Sequence, residues 1–452
     1  MQRTNTFIIE DNNNFNILFK LADNCSKLWN ELNYERRNAC INGKDINWYP
    51  KHLYNKYSVI IGSATAQQII NKNNEAWRSF LALKKMEREC RLPKHITRVS
   101  MPRYWKYKGK RELRIIVRND CYKVIDGYLY LPNGIRLRYK GNIRWNGKQG
   151  RLEIFYDRVD KVWRGFMSVN VNIDSSPRVR ESLIDDSNKT TKRLYIDLGV
   201  RCLATVWYEG LKQPIAFSGR RLLADWWYWS SRRIAEEQSR LVKVNNVKRS
   251  RRLSKLYRIR QRRFKHAINA MVKMIVDNAY RLGIREMVIG NLRGMRSNNN
   301  SNNNNNNYNN TKANAMVNNF WSYAYIVRRI KDKAEEYSIN VKEVNEHKTS
   351  SICIRCNSSL SSDIVKRGRL FRCLNCRLEA HRDAIGVLNI AYNNNNDNND
   401  MANLYSNSKG KGIAIRVMAH PLLLRWSNDR WMPRRAMRSK AMNTLEARIL
   451  TL

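Results

Sequence analysis

The chain has 452 residues, which is too long for one ordinary hydrophobic core and predicts two to four domains. Its 85 Lys and Arg against 38 Asp and Glu give a net charge of +47, so an extended polyanion, DNA or RNA, is the expected partner. A signal-peptide pattern and a bilayer-spanning apolar run are both lacking, which argues against a membrane protein. We expect a soluble intracellular protein, in the cytoplasm or nucleoid of a prokaryote or in a eukaryotic nucleus.

The first part of the chain combines a helical pattern with a series of short strands. Apolar residues three or four apart predict helices over 15–41 and about 63–89. From residue 100 the apolar period changes to two, and turns rich in Gly, Asn and Asp separate several strands. Such strands predict a small antiparallel barrel or curled sheet. The polar segment 173–191 then predicts a linker.

An acid ends a buried strand in the segment Lys192-Arg-Leu-Tyr-Ile-Asp197-Leu-Gly-Val-Arg-Cys-Leu-Ala-Thr-Val206. The segment predicts two strands joined by a tight turn. A carboxylate in such a place usually needs a metal or a cationic partner to offset its desolvation. In the RNase H-like fold, the first strand carries an aspartate that helps to hold catalytic Mg²⁺. The alternative is that Asp197 only caps the turn.

Residues 219–282 predict a helical hairpin that is broken near Asn245. Its second helix begins with a dense basic cluster, in which like charges at helical spacing repel each other unless a polyanion lies alongside. We therefore predict phosphate contacts here, against the alternative of a solvated basic face. The predicted nucleic-acid residues are Arg249, Arg251, Arg252, Lys255, Arg258, Arg262 and Arg263.

Four of the 9 cysteines form the pairs Cys353-X-X-Cys356 and Cys373-X-X-Cys376. This spacing predicts a four-cysteine zinc ribbon, in which each pair directs two thiolates to one tetrahedral ion. The ribbon either contacts nucleic acid or only folds its own loop. Asp383 follows in the first turn of a predicted helix, where it is either a helix cap or the partner of the isolated acid on the strand. The asparagine-rich segments 298–310 and 393–400 predict disordered loops.

Together these motifs resemble the TnpB (OrfB) proteins of insertion sequences, which are relatives of the type V CRISPR effector nucleases and of the eukaryotic Fanzor proteins. The resemblance covers residues 192–391, and it is carried by the strand, the basic hairpin, Thr349-Ser350 before the ribbon, and His381-Arg-Asp383-X-X-Gly-X-X-Asn-Ile. It implies an RNA-guided DNA endonuclease of a transposable element. A guide RNA would pair with the target DNA, a short flanking motif would be read, and a RuvC-like site would cut by two-metal hydrolysis.

The resemblance also implies an α/β multidomain fold. A wedge β-barrel with an inserted helical recognition lobe would precede an RNase H-like (RuvC) nuclease domain with an inserted zinc ribbon. Apart from the resemblance, the basic C-terminal stretch 401–452 has too few apolar residues in register for a core of its own, and we expect it to lie against RNA. The implied ranges are 1–12 and 96–172 for the wedge, 13–95 for the recognition lobe, 192–347 and 381–395 for the nuclease domain, 348–380 for the ribbon, and 396–452 for the tail.

Asp197 and Asp383 match the first and third catalytic acids of the family, but Gly290 occupies the strand position where a glutamate is usual. Glycine cannot bind a metal. We predict that Glu346 replaces the missing acid, because it follows the next strand outward and can reach across the space that the glycine leaves. Some relatives have a glutamate at this place, just before the Thr-Ser. The predicted Mg²⁺ ligands are therefore Asp197, Glu346 and Asp383, and the four cysteines bind Zn²⁺.

Glu286 and Glu343 are weaker candidates for the second acid. If Glu346 is only a surface acid, the nuclease site is defunct and the protein is a nuclease-dead, RNA-guided DNA-binding protein. A zinc-ribbon transcription factor would explain the charge and the ribbon but not the two aspartates. A tyrosine-type transposase would need two histidines close together, whereas the 6 His are scattered.

Overall fold

The computed structural model describes residues 1–10, 15–93, 96–107, 109–132, 134–172, 192–291, 320, 322–346, 349–359, 362–394 and 420–433. The chain divides into two compact units, Met1–Asn172 and Ile173–Leu452. The predicted linker 173–191, the asparagine-rich segment 298–310 and residues 395–400 of the segment 393–400 lie outside the described residues. Residues 393 and 394, predicted to be disordered, instead form the end of a helix. Within those described, no helix is both long and apolar enough to cross a membrane.

Three helices of the first unit form its helical part: α1 (Phe15–Ile41), α2 (Lys51–Ile61) and α3 (Ser63–Arg88). Their buried side chains recur every three or four residues, as the sequence pattern predicts. A buried polar network joins α1 to α3, because Asn33 Oδ1 accepts hydrogen bonds from Asn73 Nδ2 (3.0 Å) and Trp77 Nε1 (2.9 Å). Such a network needs every member to be satisfied, so it fixes how the helices pair.

The strands of the first unit are β1 (Gln2–Ile9), β2 (Lys106–Tyr107), β3 (Lys110–Arg111), β4 (Arg114–Val117), β5 (Lys123–Ile125), β6 (Tyr128–Tyr130), β7 (Arg136–Lys140), β8 (Lys148–Asp157) and β9 (Val162–Asn170). Seven of these strands form an antiparallel sheet in the order β4-β8-β9-β1-β7-β6-β5, and β2 and β3 form a separate two-stranded ladder. The described pairs include none between the end strands β4 and β5, so closure into a barrel stays a prediction.

The strands of the second unit are β10 (Arg193–Asp197), β11 (Cys202–Tyr208), β12 (Ile215–Ser218), β13 (Glu286–Asn291), β14 (Asn340–Asn345), β15 (Ile364–Arg367), β16 (Leu370–Cys373), β17 (Glu379–His381), β18 (Leu422–Ser427) and β19 (Arg430–Pro433). Seven of these strands form a mixed sheet in the order β14-β13-β10-β11-β12-β18-β19. Strand β10 runs parallel to β13 and antiparallel to β11, and β13 runs parallel to β14.

The predicted helical hairpin is confirmed, with its break at a left-handed Asn246. The helices of the second unit are α4 (Arg220–Tyr228), a π-helical stretch (Trp229–Ile234), α5 (Ala235–Asn245), α6 (Arg251–Arg281), α7 (Tyr323–Glu335) and α8 (Arg382–Asn394). Helices α6 and α7 cover one face of the sheet, where Ile196 and Ile289 pack against Ile268 and Ile330. Helix α8 covers the opposite face of the sheet.

The prediction that residues 396–452 form a tail without a core was wrong for residues 422–433. Strand β18 pairs in parallel with β12, and β19 pairs with β18. Leu424 and Trp431 are buried in the main core, and Trp431 Nε1 donates a 3.0 Å hydrogen bond to the Ala267 carbonyl on α6. This short apolar run needs no core of its own, because it completes the edge of an existing sheet.

Candidate functional site

The alternation of side chains along three neighbouring strands brings the predicted acids to one face of the sheet. Tyr195 on β10 and Val288 on β13 both face α8, so Asp197 and Gly290, two residues further on, share that face. On β14, Val344 packs on the face of the sheet that α8 covers. Glu346, two residues further on, is therefore directed to the same face. The strand period therefore places Glu346 over the glycine.

The side chain of Glu346 fills the space above Gly290. An ideal Cβ built at Gly290 would lie 3.0 Å from Glu346 Cδ and closer still to Glu346 Oε2. The carboxyl of Glu346 also hydrogen-bonds the carboxyl of Asp197. The structure thus brings the predicted replacement acid into direct contact with the first acid, and the missing side chain at 290 makes this possible.

Helix α8 completes the cluster from the other side. Asp383 lies in its first turn and acts electrostatically on Asp197. A Cβ at Gly386, one turn further on, would lie 2.5 Å from Asp197 Oδ2, so only glycine allows the helix to approach this closely. Arg369, on the turn before β16, forms an ion pair through Nη1 with Asp383 Oδ1.

The three acids are short of positive charge. Burial and the nearby Asp383 carboxylate raise the pKa of Asp197 to about 7. Burial and the Asp197 carboxylate raise the pKa of Glu346 to about 9. Glu346 Oε2 and Asp383 Oδ2 are buried, and no group in the described part of the chain forms a hydrogen bond with either of them. Buried carboxyl oxygens without a partner suit a hard divalent cation such as Mg²⁺. Such a cation would replace the proton that the Asp197 and Glu346 carboxyls share.

Two hydrogen-bonded residues hold the strand end that carries Glu346. The backbone N–H and the hydroxyl of Thr349 donate to the Glu346 carbonyl at 3.3 and 3.2 Å. Asn389 on α8 is buried and donates to the Thr349 carbonyl at 2.6 Å and to the Ile352 carbonyl at 2.9 Å. The Thr-Ser and Asn of the sequence motifs therefore join the entry of the ribbon to the helix of Asp383.

The four predicted zinc ligands also converge. One sulfur atom from each of Cys353, Cys356, Cys373 and Cys376 lies within 4.8 Å of the others. The pairs Cys353–Cys376 and Cys356–Cys373 have Sγ···Sγ distances of 3.5 Å, close to the spacing of thiolates around one tetrahedral zinc ion. The three-stranded sheet β15-β16-β17 supports them. This cluster could hold zinc.

The two weaker candidates for the second acid have cationic partners of their own. Glu286 forms an ion pair with Arg193 at 2.8 Å, and Glu343 forms one with Lys331 at 2.6 Å. The charge of Glu286 is thereby compensated by a residue of the neighbouring strand β10, and that of Glu343 by a residue of α7. Only Glu346, among the three glutamates considered, contacts Asp197 in the described structure.

Six of the seven basic residues predicted to contact nucleic acid are exposed at the start of α6 or just before it, and Arg258 is half-buried. Ser250 caps the helix by accepting a 2.9 Å hydrogen bond from the Leu253 N–H, and no acid lies in the first turn. Arg252 and Arg263 form ion pairs with Glu237 (3.5 Å) and Asp225 (2.9 Å). The N-terminus of a helix carries a partial positive charge, which adds to the charge of these basic residues. A bound anion would therefore be favourable there.

The sequence reasoning missed Arg369, and it gave no role to Gly386, Cys202 or His381. One donor atom from each of Cys202, His381 and Asp383 lies within 4.8 Å of the others. The spacing of Gly386 and Asp383, one helical turn apart, could have indicated a close helix approach. Nothing in the sequence pairs Cys202 with the helix, because the two are joined only through the fold.

Comparisons with known proteins agree with these motifs. The profile of the OrfB_IS605 family, described as a probable transposase, matches residues 169–296. A second profile, described as a Cas12f1-like TNB domain, matches residues 323–390. A TnpB-like protein, ORF457 of Acidianus two-tailed virus, is 31% identical over 399 residues, which cover 82% of this chain and 84% of that protein. The chain belongs to the TnpB family.

The solved structure of a Cas12f1 complex resembles this TnpB protein in fold. The Cas12f1 chain in a complex with sgRNA and target DNA superposes with a TM-score of 0.50 at 15% identity, covering 83% of this chain and 82% of that one. CasPhi-2 (Cas12j) bound to crRNA gives a TM-score of 0.42 at 11% identity, over 87% and 98% of the two chains. The similarity to Cas12f1 shows a shared α/β architecture, and at this identity it shows the fold alone.

Proposed function

We propose that this TnpB protein is an RNA-guided DNA endonuclease of a mobile element, which cuts DNA next to a short flanking motif in a RuvC-like site. Family membership supports a nuclease of the RNA-guided kind, and a fold shared with a Cas12f1 chain that holds sgRNA and target DNA is consistent with it. The observation that carries the proposal is the Glu346 carboxyl, which lies over Gly290 and against Asp197.

The order of the central strands supports an RNase H-like nuclease domain. Numbered along the chain from β10, the strands β12, β11, β10, β13 and β14 follow the order 3-2-1-4-5, and the second strand is antiparallel to its neighbours. In this arrangement the first strand, the fourth strand and a C-terminal helix supply the acids. Here the fourth strand has Gly290, and the end of the fifth strand supplies Glu346.

Asp197, Glu346 and Asp383 are the residues that would hold Mg²⁺. When bound, the metal would activate a water molecule and stabilise the leaving 3′ oxygen of a phosphodiester. The protein's own contribution is positional, since Gly386 lets α8 approach Asp197 and Thr349 fixes the Glu346 backbone. Arg369 holds one oxygen of Asp383 and leaves the other for the cation.

The remaining parts take roles in nucleic-acid binding. The basic start of α6 would contact the phosphates of the guide RNA or of the target DNA. In the N-terminal unit, α1 to α3 would form the recognition lobe, and the seven-stranded sheet would form the wedge domain. The ribbon, folded by zinc, would position the helix of Asp383 directly after it. These assignments follow the family's domain plan.

The test is cleavage by the protein purified with its own RNA, on DNA targets that carry a library of flanking sequences. We expect Mg²⁺-dependent cutting by the wild type. Glu346→Gln should bind the same target equally well. It should cut the target at least about 10²-fold more slowly, because the transition state then lacks one charged partner. Glu343→Gln, on the same strand but paired with Lys331, is the matched control and should cut normally.

A nuclease-dead, RNA-guided DNA-binding protein is the alternative, because Gly290 replaces the usual second acid. It predicts that the wild type and Glu346→Gln bind the target with equal affinity and that neither cuts it. Cleavage by Glu346→Gln at the wild-type rate would refute the role of Glu346 while leaving the nuclease itself in place.

A further inference from the structure

Three side chains with different donor atoms meet beside the acidic cluster. Cys202 is the first residue of β11, His381 the last residue of β17, and Asp383 lies in the first turn of α8. A sulfur, a nitrogen and an oxygen from these residues lie within 4.8 Å of one another. Cys202 is only 7% exposed, so its thiol points into the structure and not to solvent. Three separate elements hold the group in place.

The donors of this cluster have unmet bonding capacity. His381 Nδ1 and Asp383 Oδ2 are both buried, and among the described residues neither atom has a partner at ordinary hydrogen-bonding geometry. A buried polar atom without a partner is costly, and a bound cation would satisfy both atoms at once. The Cys202 thiol lies beside the Asp383 carboxyl and interacts with it, so two of the three donor groups already adjoin each other. The buried His381 Nδ1, which no described group meets, points to a ligand that all three residues share.

The donor set selects the kind of cation. Mg²⁺ prefers oxygen ligands, whereas a cysteine sulfur, a histidine nitrogen and one carboxylate oxygen match zinc and its neighbours in the first transition series. Three protein ligands leave a fourth tetrahedral position open. Arg369 pairs with Asp383 Oδ1 and adds positive charge, so the cation should bind here more weakly than in the four-cysteine ribbon.

We propose that Cys202, His381 and Asp383 form a second transition-metal site of the zinc class, separate from the ribbon. Asp383 is also one of the three acids assigned to Mg²⁺. A zinc ion in this site takes that carboxylate away from the nuclease centre and therefore inhibits cleavage. This consequence, although not the site itself, rests on the proposed function.

Cobalt(II) is the probe, because its absorption reports thiolate coordination directly. Protein with its ribbon filled by zinc is titrated with cobalt, and the retained zinc is measured throughout. We expect one further equivalent of cobalt with a thiolate-to-cobalt charge-transfer band. Cys202→Ser should abolish the band, and His381→Gln should weaken cobalt binding roughly tenfold or more. Cys40→Ser, on α1 and outside both clusters, should behave like the wild type.

Circular dichroism of each variant establishes that it is folded, so disappearance of the band reports removal of a ligand. The proposal fails if the wild type gives no band beyond the ribbon, or if folded Cys202→Ser keeps it. In cleavage assays with Mg²⁺, the zinc concentration for half-inhibition should rise roughly tenfold or more in Cys202→Ser. Equal zinc sensitivity would refute the inhibitory role. If the wild type never cuts, the proposed function fails, while the cobalt band still decides the site.

Discussion

A methyl group added at Gly290 should strongly slow the nuclease although it replaces none of the three acids. The Cβ of Gly290→Ala would enter the space that Glu346 occupies, 3.0 Å from its Cδ and nearer to Oε2, whereas ordinary contacts of a Cβ begin at 3.4 Å. The Cδ1 atom of Ile390, also 3.0 Å away, limits retreat in another direction. The Glu346 carboxylate must therefore shift from its present place beside Asp197.

The size of the effect follows from this displacement. A shift of about 1 Å in a positioned catalytic group costs about 10²-fold in rate, and we expect this decrease in the cleavage rate of Gly290→Ala. Overpacking of the same site should lower the free energy of unfolding by about 1–3 kcal/mol. Because this substitution changes no basic residue, the affinity for guide RNA should not change.

The assay compares single-turnover cleavage, RNA binding and thermal unfolding of the wild type and Gly290→Ala. The double variant Gly290→Glu with Glu346→Ala is the informative partner, because it returns the acid to the strand position usual in the family. It should cut faster than Gly290→Ala. Cleavage by Gly290→Ala at the wild-type rate would refute the reasoning, since Glu346 could then not occupy a functional position above residue 290.

Three further predictions concern the pH, the ribbon and the salt dependence. The folded-state pKa values of Asp197 and Glu346 lie above the ordinary 3.8 and 4.5, so the metal-free protein should lose stability as the pH rises from about 4 through 7 to 9. Mg²⁺ should therefore raise the melting temperature more at pH 8.5 than at pH 5.5, and Asp197→Asn should flatten the pH profile measured without metal. Elemental analysis should find one tightly held zinc per chain. Cys373→Ser should lose both this zinc and cleavage, because the helix of Asp383 follows the ribbon directly. A chain that cuts normally without zinc would contradict this prediction. Replacing Arg251 and Lys255 by Gln should reduce the slope of log affinity against log salt by roughly 0.7–0.9 for each phosphate that is no longer neutralised, and an unchanged slope would place the phosphates elsewhere.

The local elements near the site could be read from the sequence because each depends on its own residues. The residues around Asp197 predicted a strand that ends in an acid, a tight turn and a second strand, and the structure has these strands at Arg193–Asp197 and Cys202–Tyr208. The cysteine spacing likewise needed no tertiary information. The prediction of Glu346 combined strand order with the empty place at Gly290, and the contact between Glu346 and Asp197 is the one that it required.

Features that depend on distant partners could not be read in this way. The run Leu422–Ser427 is too short to predict its own burial, which depends on the open edge of β12. The approach of Cys202 to His381 depends on how β11, the ribbon and α8 meet, and no periodicity connects these segments. Arg369 gave no signal either, because its ion pair with Asp383 exists only once the ribbon is folded.

The pairing of β12 with β18 also sets the order in which the domain can be completed during synthesis. Ile215 pairs with Leu422, which follows it much later in the sequence, so the edge of β12 lacks this partner strand until the ribosome has made the whole intervening segment. An uncovered edge is a template for pairing with other chains. During synthesis, the nascent chain therefore exposes the edge of β12 for a long interval, and chaperones or its own RNA must cover this edge to prevent aggregation.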